Sequence, residues 1–225
     1  MEGFEKYQKL MADWAKDRLS PYIKPESRDK MPEKIRIFCS RVFFGFADIS
    51  ATVDALHLAQ ILVSVAPPRS RKIQRDEYLK YQVNAYLQEV YILKERLIAY
   101  PKKLQRAYRG MNHEAYFVRS TQDLHKTVSD ALSDIIHTRG CHVHSERFSD
   151  DDLDFLSQIN LIARFDTKFE DAANFEYRVV KRSWGQRIKE NNNETMKLLN
   201  AYFDCMADAV IFNGEVVCPG NPPKK

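Results

Sequence analysis

Leu79, Val83, Tyr86, Leu87, Val90, Leu93 and Leu97 recur at the three- and four-residue steps of an α-helix. This apolar stripe is about five turns long, and it commits the middle of the chain to a long amphipathic helix. A strand would need its apolar residues at every second position, and no such alternation competes here. Only 7 of the 225 residues are glycine, too few for a turn-rich β fold. The expected class is therefore all-α: a bundle of long antiparallel helices.

Punctuation divides the rest. Phe4, Tyr7, Leu10, Met11 and Trp14 mark one helix face, ended by Pro21. Pro21, Pro25 and Pro32 with scattered charges read as a linker over 20–32. Helical periodicity resumes at Glu33 and reaches Val65, with Gly45 and Asp48 as points where it bends or splits, before Pro67-Pro68 closes it. The long stripe runs from Gln74 to Tyr100, where Pro101 is expected to stop it. Leu124, Val128, Leu132, Ile135 and Ile136 predict the next helix. Ser149-Asp150-Asp151-Asp152 reads as an N-cap with acid in the first turn. Leu153, Leu156, Ile159, Ile162 and Phe165 are the expected buried face that follows. Two further helices are expected over about 166–185 and 194–212. The organisation is an N-terminal helix and linker (1–32), a helical bundle (33–212) and a loose tail (213–225) holding Pro219, Pro222 and Pro223.

Charge constrains partners weakly. The net charge of +4 permits an anionic ligand without demanding one. Cys39, Cys141, Cys205 and Cys218 form no CxxC pair, and reduced thiols in a cytoplasmic protein are the simplest expectation. No basic start followed by an apolar run marks a signal peptide. Arg41, Asp48, Asp54 and His57 interrupt the apolar region 35–65, so a buried helix is expected there and no membrane partner.

The chemistry-bearing feature is Arg139-Gly140-Cys141-His142-Val143-His144, an Arg-x4-His motif after an amphipathic helix. Arginine grips phosphate through parallel hydrogen bonds, and histidine exchanges protons near neutral pH. With its helical frame from about 35 to 212, the motif resembles the HEPN superfamily of all-α domains, many of which are RNases. The resemblance implies metal-independent RNA cleavage, with Arg139 stabilising the phosphorane and His144 acting as general acid or base. It also implies a homodimer that brings two motifs to one cleft. Geometry favours such pairing, because Arg139 and His144 diverge by about 140° on an ideal helix. The family usually has a polar residue after the arginine. Here it is Gly140, a departure that bears on catalysis and that His142 is placed to offset.

Other residues carry weaker expectations. Tyr108 and Tyr116 among Arg106, Arg109 and Arg119 are candidates to stack on and neutralise RNA. Arg178, Lys181, Arg182, Arg187 and Lys189, with Trp184 inside, form a second basic cluster. Metal ligands are expected to be absent. His137, Cys141, His142 and His144 lack the two separated pairs of a structural zinc site. Asp54-x-x-His57 and Asp134-x-x-His137, with Glu89 and Glu95, only approximate a di-metal bundle, and His57 is expected in the core. No cofactor is expected. Two rival readings are a non-catalytic HEPN-like module that binds a nucleotide or protein, and a metal-dependent bundle enzyme.

Overall fold

The computed structural model describes the chain except residues 1, 23, 25–30, 71, 134, 136–149, 213, 214 and 218–225. It is all-α. The described helices are α1 (Gly3–Leu19), α2 (Glu33–Ser64), α3 (Arg75–Tyr108), α4 (Glu114–Thr121), α5 (Leu124–Ala131), α6 (Asp151–Ala163) and α7 (Glu170–Val210). The described strands, β1 (Ile211–Phe212) and β2 (Glu215–Val216), pair antiparallel with Ile211 opposite Val216.

The chain folds into two compact units. The first gathers residues 1–51, 93–131 and 195–225, and the second 52–92 and 132–194.

Aromatic side chains fill the first unit. Tyr7 lies 4.9 Å from Phe203, and Phe46 meets Phe203 edge-on at 5.4 Å. Such tilted and edge contacts suit the ring quadrupole. The N-terminal helix α1 is integral to this core, burying Phe4, Tyr7, Met11 and Trp14. Its first turn is capped from elsewhere in the chain, since Asn200 Oδ1 accepts from Phe4 N at 3.1 Å. A Cβ on Gly3 would lie 2.2 Å from the Asn200 carbonyl, so only glycine fits that approach. The strand pair is also anchored: Val216 and Val217 are buried, and Val217 N donates to Val210 O. The tail is thus held as far as Val217.

The second unit is built on aliphatic stripes. Val53, Leu56, Ala59 and Val63 of α2 and Leu79, Val83, Leu87 and Val90 of α3 are buried, with Leu153 and Leu156 of α6 and Val180, Trp184 and Ile188 of α7. α2 is long and apolar enough by length and composition to cross a membrane, and in each unit one stripe of it is core.

Four expectations need correction. Gly45 and Asp48 do not split α2. Pro101 does not stop α3, which continues to Tyr108, two residues before Gly110, whose φ is +77°. The expected break near 185–194 is also missing. α7 runs unbroken for 41 residues, and the disfavoured Asn192 is tied in by its Nδ2, which donates to Gln60 Oε1 at 2.8 Å. The outer half of the expected α6 stripe faces solvent, with Ile162 46% and Phe165 87% exposed. Leu153, Leu156 and Asn160 form its buried face instead.

Candidate functional site

Arg139, Gly140, Cys141, His142 and His144 lie outside the described residues. Their attachment points are described, and both belong to the second unit. The chain departs at Ile135, just after the buried Leu132, and is described again from Asp150. Ile135 and Asp150 line the same cavity of about 250 Å³, together with Leu87, Trp184, Arg187, Glu190 and Asn191. The two ends of the motif-bearing segment therefore meet at one place.

Asp150 organises that place. Its extended backbone puts it at the N-cap of α6, and its Oδ1 accepts from Leu153 N at 3.1 Å, as the sequence predicts. The same oxygen accepts from Trp184 Nε1 at 3.3 Å. Arg187 ion-pairs with Asp150 at 3.7 Å and Asp152 at 3.5 Å, and its guanidinium lies 5.1 Å from the centroid of the Trp184 ring. Both carboxylates draw the Arg187 cation to the start of α6. Arg187 is a fastening for the entry to α6.

The predicted RNA-contact residues divide. Arg106, Arg109 and Arg119 are exposed, and Tyr116 is 52% exposed with its hydroxyl 3.4 Å from the Asp208 carbonyl. Arg41 donates to the Arg106 carbonyl at 3.1 Å, adding a cation that the sequence reading missed. Tyr108 is not a stacking platform. It is fully buried among Phe38, His113 and Phe117, because α3 continues past Pro101 and carries the stripe Leu97, Tyr100, Leu104 and Tyr108 into the core. Among the described residues the buried histidine is His113, whose Nε2 sits 2.7 Å from the Ala209 carbonyl. His57, expected inside, is exposed, and so is Asp54.

The second basic cluster also divides. Trp184 and Arg187 turn to the Asp150 cavity, while Arg178, Lys181 and Arg182 line a separate groove of about 390 Å³ with Val63, Ser64 and Gly185. Among the described residues no carboxylate lines this groove. Lys181 Nζ donates to Val65 O at 2.8 Å, which places a cation at the carbonyl end of α2, where the helix dipole favours it.

The perturbed titrating groups give no acid–base pair. Burial pushes the phenols of Tyr7, Tyr86, Tyr100 and Tyr202 well above the ordinary tyrosine value. Burial also raises the thiols of Cys39 and Cys205, with Asp208 adding to the second. These shifts make each group a poorer nucleophile. Among the described residues no three His, Cys, Asp or Glu side chains are grouped as metal ligands. Asp134 and His137 lie outside the described residues.

Compared with known protein families, curated proteins and solved structures, the chain matches none.

Proposed function

We propose that this protein is a HEPN-like RNA-binding protein and a metal-independent endoribonuclease that uses Arg139 and His144. The observation that carries the reading is the meeting of Ile135 and Asp150 at one cavity. These residues flank the motif in the sequence and belong to an all-α frame. Placement of the reacting groups is one large source of rate in such chemistry, beside electrostatic stabilisation of the phosphorane.

In the proposed reaction His144 takes the proton from a ribose 2′-hydroxyl. The 2′-oxygen attacks the adjacent phosphorus, the P–O5′ bond breaks, and a second histidine protonates the departing 5′-oxygen. His142 or the motif of a second copy supplies that proton. Arg139 neutralises the extra charge on the phosphorane. Because one Arg-x4-His pair converges poorly on a straight helix, the working species is proposed to be a homodimer with two motifs at one groove.

The test is a cleavage assay on mixed-sequence RNA with EDTA present. The expected result is cutting that leaves 2′,3′-cyclic phosphate ends, spares DNA, and is lost in Arg139→Ala and His144→Ala proteins of unchanged helicity. Light scattering at micromolar concentration should give twice the chain mass. Intact RNA throughout, or single variants that cut like the parent, overturns catalysis. Gly140, in place of the polar residue of the family pattern, favours one second reading, a non-catalytic HEPN-like module that binds a nucleotide or a protein.

A further inference from the structure

The outward face of α7 carries an unusual combination. Phe175, Arg178, Arg182, Gly185 and Lys189 fall within an arc about 80° wide on an ideal helix and span about 21 Å along it. All four side chains are exposed, and Phe175 is 60% exposed despite its apolar ring. Arg178 and Arg182 enter no ion pair among the described residues. Glu190, the nearest carboxylate at the far end, turns instead to the Asp150 cavity. Asp171, one turn before Phe175, is the acidic residue that closes the strip.

Gly185 sharpens the point. It sits inside a long helix, where glycine costs roughly 1 kcal/mol relative to alanine. A Cβ there would meet nothing within 4 Å, so packing does not require the glycine. It lines the groove with Arg178, Lys181 and Arg182, and leaves bare backbone on the groove wall. Bare backbone allows a ligand close approach between flanking cations.

We infer that this strip is a binding track for single-stranded RNA, with Arg178, Arg182 and Lys189 along the phosphates, Phe175 stacking on a base, and Gly185 opening the groove between them. This rests on the RNA-binding part of the reading above. An exposed ring among arginines is the combination that single strands use, since every unpaired base offers a π-face. A duplex hides those faces, and an acidic peptide has no use for the ring.

The experiment titrates His144→Ala protein against a labelled 12-nucleotide single-stranded RNA, so that binding is read apart from cleavage. Arg178→Ala/Arg182→Ala should weaken binding at least tenfold and reduce the log–log salt slope by about 1.4, the loss of two phosphate contacts on a single strand. Phe175→Ala should weaken it about 5- to 150-fold without changing the slope, and should leave affinity for a matched RNA duplex unaltered. Gly185→Ala should weaken binding while the melting temperature holds or rises. Equal affinity of the double variant and its parent overturns the track. Preference for polyglutamate of matched charge, with no effect of Phe175→Ala, overturns RNA as its ligand. If RNA binds this strip but the parent protein never cuts it, the catalytic reading fails and the track stands. If the parent cuts RNA and the strip variants bind normally, the track fails alone.

Discussion

Tyr202 Oη donates a hydrogen bond of 2.9 Å to the carbonyl of Leu97, the group that Pro101 cannot serve. In an unbroken helix that carbonyl accepts from the N–H four residues on, and proline has none. A buried acceptor without a partner costs about 1–3 kcal/mol. A phenol from α7 thus supplies the missing donor, and α3 continues through its proline.

Tyr202→Phe should therefore destabilise the fold by about 1–3 kcal/mol. In a Pro101→Ala background the backbone N–H returns, and the same substitution should cost less. A double-mutant cycle by urea melts measures the difference. Costs that simply add would show that Tyr202 acts through something other than the Leu97 carbonyl.

Stability should fall at high pH. Tyr7 Oη and Tyr100 Oη are 2.8 Å apart, and Tyr100 donates to the Val42 carbonyl at 3.1 Å, so Tyr7 is the donor to Tyr100. Burial raises the pKa of Tyr7, Tyr86, Tyr100 and Tyr202. Above about pH 10 the unfolded chain loses phenolic protons that the folded chain keeps, so the slope of unfolding free energy against pH is negative. The contribution is complete below that pH and declines above it. Absorbance at the phenolate band should show these tyrosines ionising together with loss of helicity. Ionisation of all tyrosines in a still-helical protein contradicts the assignment.

Asp150→Ala removes a cap and leaves the Trp184 N–H without this acceptor. A loss of about 2–3 kcal/mol is expected from the two effects together. Asp150→Asn keeps a capping oxygen and should lose less. Thermal melts of the two variants rank them. On the proposed function, RNA cleavage should fall in the same order, because Asp150 holds one end of the motif segment.

Gly45 and Gly185 should respond oppositely to alanine. A Cβ on Gly45 would lie 3.0 Å from the Tyr100 ring, which would have to shift by a few tenths of an ångström; its hydroxyl is tied to Tyr7 and the Val42 carbonyl, so the ring resists and Gly45→Ala should destabilise by about 1–2 kcal/mol net of helix propensity. Gly185→Ala meets open space and should stabilise by up to about 1 kcal/mol. Chemical denaturation of both decides it, and the same sign for the two would contradict the contacts.

The Gly45 contact shows why parts of the fold were legible and parts were not. Helix stripes such as Leu79 to Leu97 follow from backbone period alone, and they lie in the core as expected. Pro101 and Asn192 look like breakers locally, but a phenol and a glutamine distant in sequence hold the helix through each, and Gly45 leaves the space beside it to the Tyr100 ring. Tyr108 was misplaced for the same reason, since its burial depends on α3 passing Pro101. The basic cluster on α7 was visible as composition. Its division into a fastening at Arg187 and a groove at Arg178 and Arg182 was not, because neighbours on a helix point about 100° apart and each meets a different surface. The Arg139–His144 motif was found by spacing, and its geometry falls outside the described residues.

The weaving of the chain through its units has a consequence for synthesis. A ribosome delivers residues from the N-terminus onward. The second unit has all of its residues once Glu194 has emerged. The first is different: Asn200 and Phe203, which cap and cover Phe4 and Tyr7, are made nearly two hundred residues after them. During elongation α1 can pack on one side against Phe38 and Phe46, but the side that Phe203 covers must wait, so part of its apolar face stays open to chaperones, and to aggregation, until the end of α7 is made.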